Sequence, residues 1–428
     1  MTQETAELKR TVGFWGTTLF PVNGMIGAGI FALPAIMVAA VGNFAPWMML
    51  FGAVLILPLA FVFSTLATRF DRHGGPVLYA HAAFGSFFGF QAGWTRYASG
   101  VVAVAANTQV AVAYFAVLFP VLNDPVMKAS AVIAFIAFAT LINLVGMRSS
   151  VRTLGVMTAF KILPLIGLII IGLATRDPAI GFSLPSFSAF ESVVLLTFYA
   201  YMAFENVTFP AGELRDPKRV IPRALLTMLA VVAAFYMLVI WAYMAIAPEV
   251  TGDESALAAA AGSIAGQAGT IAISIAAGFS IAANTLNGGI VTPRMTFGMA
   301  EQGTLPSIFA RVSKRFGTPD FSILFYGAAA ILFSLWGGFA VLAVASTLSR
   351  LVMYLLTSLA LPVLEHRDAR KAPIWHLPAS LLAVASTLWV ASQASLQAYQ
   401  TLGVILLVGT GLFFIASRRK PLETKVES

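Results

Sequence analysis

The sequence predicts an all-α integral membrane protein, and three observations carry that prediction. Of 428 residues, 59% are hydrophobic and only 10% are charged, with a mean hydropathy of +0.87. Soluble domains carry about 25% charged residues. Long apolar runs recur throughout, as membrane helices require, where an outer-membrane barrel would show alternating strands of ~10 residues. The charges flank these runs, so the net +8 describes membrane loops and no nucleic-acid partner is expected. Cysteine is absent, which excludes disulfides and thiolate metal sites. The polar start and the length of the first apolar run predict no cleavable signal peptide.

Twelve spans are read, at about 12–40, 44–68, 85–118, 127–146, 153–174, 189–212, 222–247, 266–292, 321–337, 339–362, 374–392 and 398–417. With the N-terminus inside, Arg69/Arg72, Arg148/Arg152, Arg215 to Arg223, Arg311/Lys314/Arg315, Arg367/Arg370/Lys371 and Arg418/Arg419/Lys420 all fall on the cytoplasmic side. The opposite loops hold only Lys128 and Arg176, and one carries Glu249, Asp253 and Glu254. This asymmetry predicts both termini in the cytoplasm of a cell bounded by an inner or plasma membrane.

Span one contains Asn23-Gly24-Met25-Ile26-Gly27-Ala28-Gly29-Ile30-Phe31. Each glycine costs a helix about 1 kcal/mol relative to alanine. Opened backbone at membrane depth is tolerated only where it lines a cavity or is buried in protein; close helix packing is the competing reading. After span two, Asp71-Arg72-His73-Gly74-Gly75-Pro76 is a tight turn leading into an aromatic segment, Tyr79 to Phe90, read as interfacial. Span five places Lys161 in Thr158-Ala159-Phe160-Lys161-Ile162-Leu163-Pro164. A lysine at the centre of a span costs on the order of 3 kcal/mol and marks function by default; burial disfavours its charged form and opens it to proton exchange. A permanently paired, structural lysine is the alternative. Span six carries Glu205 at membrane depth in Phe204-Glu205-Asn206, either in a gate or as a structural carboxylate. Two unusual spans, five apart in corresponding positions, point to an inverted repeat with its site at the midplane. Beyond span eight, Arg294 to Phe316 reads as a helix extension followed by a basic amphipathic piece along the inner leaflet. Arg350 is expected to pair with Glu205 or another acid, and Arg96 to reach towards the cytoplasmic surface. The four histidines, His73, His81, His366 and His376, lie near span ends without metal-ligand spacing.

Three motifs together resemble the amino acid–polyamine–organocation (APC) superfamily. They are Gly24 to Phe31, similar to G-x-I-G-S/A-G-I/V-F; Phe204-Glu205-Asn206 leading to Glu213-Leu214-Arg215-Asp216-Pro217-Lys218-Arg219 and Ile221-Pro222-Arg223; and Arg294 to Pro306, similar to R-x-x-x-A-M-A-R-D-G-x-L-P. The resemblance implies a five-plus-five inverted repeat of the leucine-transporter type with two extra C-terminal helices. It divides the chain into a tail at 1–11, a transport core at 12–365 with repeats at about 12–175 and 189–362, spans eleven and twelve at 366–417, and a tail at 418–428. It also implies alternating access to an amino acid or related amine, with no cofactor and no metal. Carried over by position, Gly27, Ala28 and Gly29 offer N–H groups to a substrate carboxylate. Carbonyls near Met25, Ile26, Phe198 and Tyr201 take its ammonium, and Tyr199 and Met202 line the side-chain pocket. Ala203 stands where many members have glycine. A span-five lysine replaces sodium in some members, which implies proton-coupled symport through Lys161, with Ser280, Asn284 and Asn287 as polar neighbours. An exchanger or exporter of the same fold is the alternative, and a polyamine permease the second. Tyr199, Tyr201 and Met202 favour an apolar or aromatic amino acid as cargo. No acid–base pair or metal cluster is recognisable, so an enzyme is not expected.

Overall fold

The computed structural model describes residues 24–70, 75–146, 151–175, 181–208, 216–247, 251–368 and 372–418. The predicted N-terminal tail, the C-terminal tail beyond Arg418, the start of span one with Asn23, the turn from Asp71 to Gly74 and Glu213 to Arg215 lie outside these residues. So do Arg148, Arg176, Glu249, Arg370, Lys371, Arg419 and Lys420, and the side chain of Arg152.

The described residues form thirteen α-helices and no strand. In chain order these are α1 (Gly29–Val41), α2 (Ala45–Ala67), α3 (Gly75–Phe84), α4 (Ser86–Leu118), α5 (Pro125–Val145), α6 (Val151–Thr175), α7 (Phe187–Tyr201), α8 (Pro217–Ile246), α9 (Ala256–Glu301), α10 (Asp320–Ser334), α11 (Phe339–Arg367), α12 (His376–Ser392) and α13 (Leu396–Ser417). Among the described residues, eight helical stretches are long and apolar enough to cross a membrane, and three shorter apolar helices accompany them.

Burial separates the centre from the rim. The most apolar windows of α4 and α11 are 67% buried, whereas those of α5 and α13 are only 17% buried. The first pair therefore runs through the protein, and the second presents apolar side chains outward, as lipid contact demands. Helix α4 packs along α11 and α9, α2 along α8, and α1 against α7 and α8. The central position of α4 and α11 matters because each carries a buried arginine.

Three local readings are refined. The segment from Tyr79 to Phe90 divides at Gly85 (φ 89°) into α3 and the start of α4, with Tyr79 1% exposed and Phe88 44% exposed. The basic stretch after α9 is a short turn rather than a continuing helix. Helix α9 does extend to Glu301, but only a short 3-10 turn, Ser307–Ala310, follows. Phe309 turns into the core there, and Arg311 pairs with Asp320 at 2.9 Å. Finally, α9 begins ten residues before the predicted span, at Ala256. As one rod its 46 residues would reach about 69 Å at 1.5 Å per residue, far beyond a bilayer. Gly266, at φ 59° and ψ −153°, breaks it. The first piece folds back on the second, with Thr270 Oγ1 donating to the Ala258 carbonyl at 3.3 Å.

Candidate functional site

Two helices are broken face to face. Gly24 and Met25 are helical, Ile26 to Ala28 are bent, and α1 starts at Gly29. The cap residue Ala28 makes no side-chain hydrogen bond, so the N–H groups that open α1 have no side-chain cap. Opposite, α7 ends at Tyr201. Met202 turns to ψ 149°, and Ala203 takes φ 82°, the one positive φ outside glycine among the described residues. A short 3-10 segment, Phe204–Thr208, follows. The helix therefore breaks although no glycine is present. The two breaks approach so closely that a Cβ on Gly24 would lie 3.2 Å from that of Ala203.

Between the breaks lies a cavity of about 90 Å³, well below the ~300–1,000 Å³ of pockets that hold drug-sized ligands. Of the nine predicted substrate residues, Met25, Gly27, Ala28, Gly29, Tyr199 and Met202 line it. Ile26, Phe198 and Tyr201 do not. Phe198 is 1% exposed, and Tyr201 points to α2, donating its hydroxyl to the Met49 carbonyl at 2.5 Å. The remaining wall comes from residues the sequence reading did not assign to the pocket, chiefly Asn107, Tyr236, Asn284 and Arg350. Tyr199 donates to Asn107 Oδ1 at 2.6 Å, and its ring meets Phe339 edge-on at 5.6 Å. The Tyr236 hydroxyl donates to the Met25 carbonyl at 3.4 Å. Two amides close together in the apolar second half of α4, Asn107 and Gln109, were the available signal. Tyr236 gave none.

Lys161 reaches the first break. Its Nζ donates to the Ile26 carbonyl at 2.7 Å, and the side chain is fully buried. A carbonyl assigned by resemblance to the substrate ammonium thus already holds a protein ammonium.

Glu205, also fully buried, follows the second break. Its Oε1 accepts from Arg350 Nη1 at 3.2 Å and lies 3.1 Å from Arg96 Nε; its Oε2 accepts from Tyr354 at 3.0 Å. Arg350 pairs with Glu205 as one of the two expectations held. Arg96 does not reach the surface: it is 6% exposed and donates through Nη2 to Asn206 Oδ1 at 3.1 Å. A guanidinium within reach of a buried carboxylate stays with it, since either charge alone in that interior would be far costlier. Arg350 Nε donates to Ser99 Oγ at 3.0 Å, and Ser99 and Ser346 are hydrogen-bonded to each other, so α4, α11 and the 3-10 segment that carries Glu205 are tied together beside the cavity. His376 meets Glu365 at 2.5 Å at the ends of α12 and α11, away from the cavity lining. Among the described residues no three His, Asp or Glu side chains converge as metal ligands.

Comparison with known proteins identifies the family. The family described as "Amino acid permease" matches residues 12–401. The serine/threonine exchanger SteT of Bacillus subtilis is 26% identical over 430 residues, covering 96% of each chain. The cadaverine/lysine antiporter of Escherichia coli K12 is 29% identical over 221 residues, covering 50% of this chain and 49% of the antiporter.

Proposed function

We propose that this chain, which belongs to the amino acid permease family and is a transporter rather than an enzyme, carries an α-amino acid by alternating access around the two helix breaks. In this reading the substrate carboxylate meets the uncapped start of α1, where N–H groups and the helix dipole favour an anion. Twelve crossings complete it, arranged as inverted repeats over 12–175 and 189–362 with two further helices at 366–417, and both termini face the cytoplasm across an inner or plasma membrane.

Coupling to protons through Lys161 rests chiefly on one observation, the 2.7 Å bond from its Nζ to the Ile26 carbonyl. A protonated lysine there fixes the break; a neutral one holds it less strongly, because a hydrogen bond from a charged donor is roughly twice as strong as a neutral one. Loss of the proton would therefore loosen the carbonyl beside the substrate site. A second reading is exchange of one amino acid for another, favoured because both relatives are named as exchangers or antiporters. A polyamine is disfavoured, since Arg350 lines the cavity and would repel a second ammonium.

The test is uptake of labelled amino acids into proteoliposomes, with and without an inward proton gradient and with and without internal amino acid. Symport predicts gradient-stimulated uptake that Lys161→Ala abolishes while substrate still protects the protein from thermal unfolding. Uptake that ignores the gradient and needs internal amino acid would establish exchange and leave Lys161 a structural cation.

A further inference from the structure

Arg350 faces two ways. One side of its guanidinium is committed to Glu205 Oε1 through Nη1 and to Ser99 through Nε. The residue also lines the cavity, it is 4% exposed, and its Nη2 has no hydrogen-bond partner among the described residues. An arginine carries five N–H donors in a planar fork, so those left over sit beside the cavity rather than in solvent.

The charge around it is unbalanced. Arg96 and Arg350 converge on the same oxygen of a single carboxylate, and the other oxygen of Glu205 is taken by Tyr354. Arg96, Lys161, Glu205 and Arg350 are the buried charged side chains among the described residues, so no second buried carboxylate is described there to complete the pairing. Two guanidinium groups with one carboxylate in a water-poor interior lack one negative charge. The cavity wall also holds Asn107, whose Oδ1 is already used by Tyr199.

We infer that Arg350 is a specificity-determining residue that selects amino acids bearing a side-chain carboxylate, the cavity receiving the missing anion as cargo. This rests on the transport reading above and deepens it. The guanidinium fork matches a carboxylate in two parallel hydrogen bonds, which a thioether or alkyl group cannot return. The apolar or aromatic cargo expected from Tyr199, Tyr201 and Met202 is replaced, because Tyr201 points away from the cavity and an arginine stands in its wall. A cargo carboxylate at Arg350 also competes with Glu205, so its arrival weakens the tie between α11 and the segment after the second break. The cargo thereby loosens one closure of its own cavity.

The experiment compares isosteric pairs, aspartate with asparagine and glutamate with glutamine, in proteoliposome uptake and in thermal protection of the purified full chain. The wild type should favour the acid of at least one pair by tenfold or more in both readouts. Arg350→Gln should reduce that ratio to near one, and Arg350→Lys, which keeps charge without the fork, should fall between. An equal or better response to the amide of both pairs overturns the inference while leaving transport intact. Protection by the acid without uptake of any amino acid keeps the site assignment and overturns the transport reading. Neither uptake nor protection overturns both. The wild-type comparison stands even if an Arg350 variant fails to fold.

Discussion

The two helix breaks that frame the cavity are built in opposite ways. The first is made of residues with little objection to being bent: Gly24, Gly27 and Gly29 flank it, and one buried ammonium, Lys161, holds a carbonyl freed by it. The second has no glycine. Ala203 sits at φ 82°, and the strand of chain beyond it is held by side chains, Glu205 between Arg96, Arg350 and Tyr354. A break permitted by its own backbone is held at its carbonyls, by Lys161 at Ile26 and by Tyr236 at Met25, neutral acceptors that strand no charge when a donor leaves. A break forced on an alanine needs a network, and the network's members depend on one another.

That contrast makes its largest prediction at Glu205. Glu205→Ala strips the only buried carboxylate among the described residues from two arginines, and removing one partner of a buried ion pair costs about 3–5 kcal/mol. Purified protein should unfold at a much lower temperature than wild type. Lys161→Ala should shift unfolding by less, because the Ile26 carbonyl it releases is neutral, and a hydrogen bond to a charged group is worth about 1.5–3 kcal/mol. Equal shifts in the two variants would erase the distinction between a network-held and a backbone-held break.

A smaller effect is expected at Gly27, and it falls on function rather than stability. A Cβ there would run into the side-chain amide of Asn284, which lines the cavity. The amide is the far end of a flexible side chain, so it can rotate away, but it then leaves the cavity wall. Gly27→Ala should raise KM for uptake about tenfold, roughly 1.4 kcal/mol of binding, with little change in melting temperature. Adding Asn284→Ala should recover little further loss, the two changes being non-additive as expected for residues in contact. Strict additivity would mean that Gly27 serves helix packing and not the site.

These contrasts explain what the sequence made legible. Glycines in an apolar run announce a break because their backbone cost has few other justifications, and a lysine or glutamate at membrane depth announces itself through its desolvation. Gly27 to Gly29, Lys161 and Glu205 were readable for those reasons. The helix breaks after Tyr201 without any glycine, so its position came only from resemblance. The sequence shows Arg96 inside span three with no visible acid to meet it, which leaves the cytoplasmic surface as its expected direction. Its actual partner lies 109 residues further along the chain at Glu205, and one-dimensional spacing cannot show that α4 meets the segment beyond the second break there. Tyr236 and Asn107 join the cavity through helix rotation, which apolar windows do not encode. The fold-back at Gly266 was hidden because alanine-rich residues 256–265 look like a continuation of the loop before a span.

The smallest effect is the sharpest test of how the second break is built. An alanine at positive φ costs of order 1–2 kcal/mol relative to one in the right-handed region. Ala203→Gly removes that strain but adds backbone freedom to the unfolded chain, an opposing loss of about 0.4–1 kcal/mol. The net expectation is stabilisation of about 1 kcal/mol or less, read as a small rise in melting temperature of the detergent-purified protein. The methyl group is also 3.2 Å from the point where a Cβ on Gly24 would stand, so it helps to fill the narrow gap between the breaks. If Ala203→Gly instead lowers the melting temperature, that packing outweighs the strain, and the alanine is a spacer between the two breaks rather than a tolerated misfit. If stability rises while uptake is unchanged, the break owes its position to the Glu205 network and not to the residue at its apex.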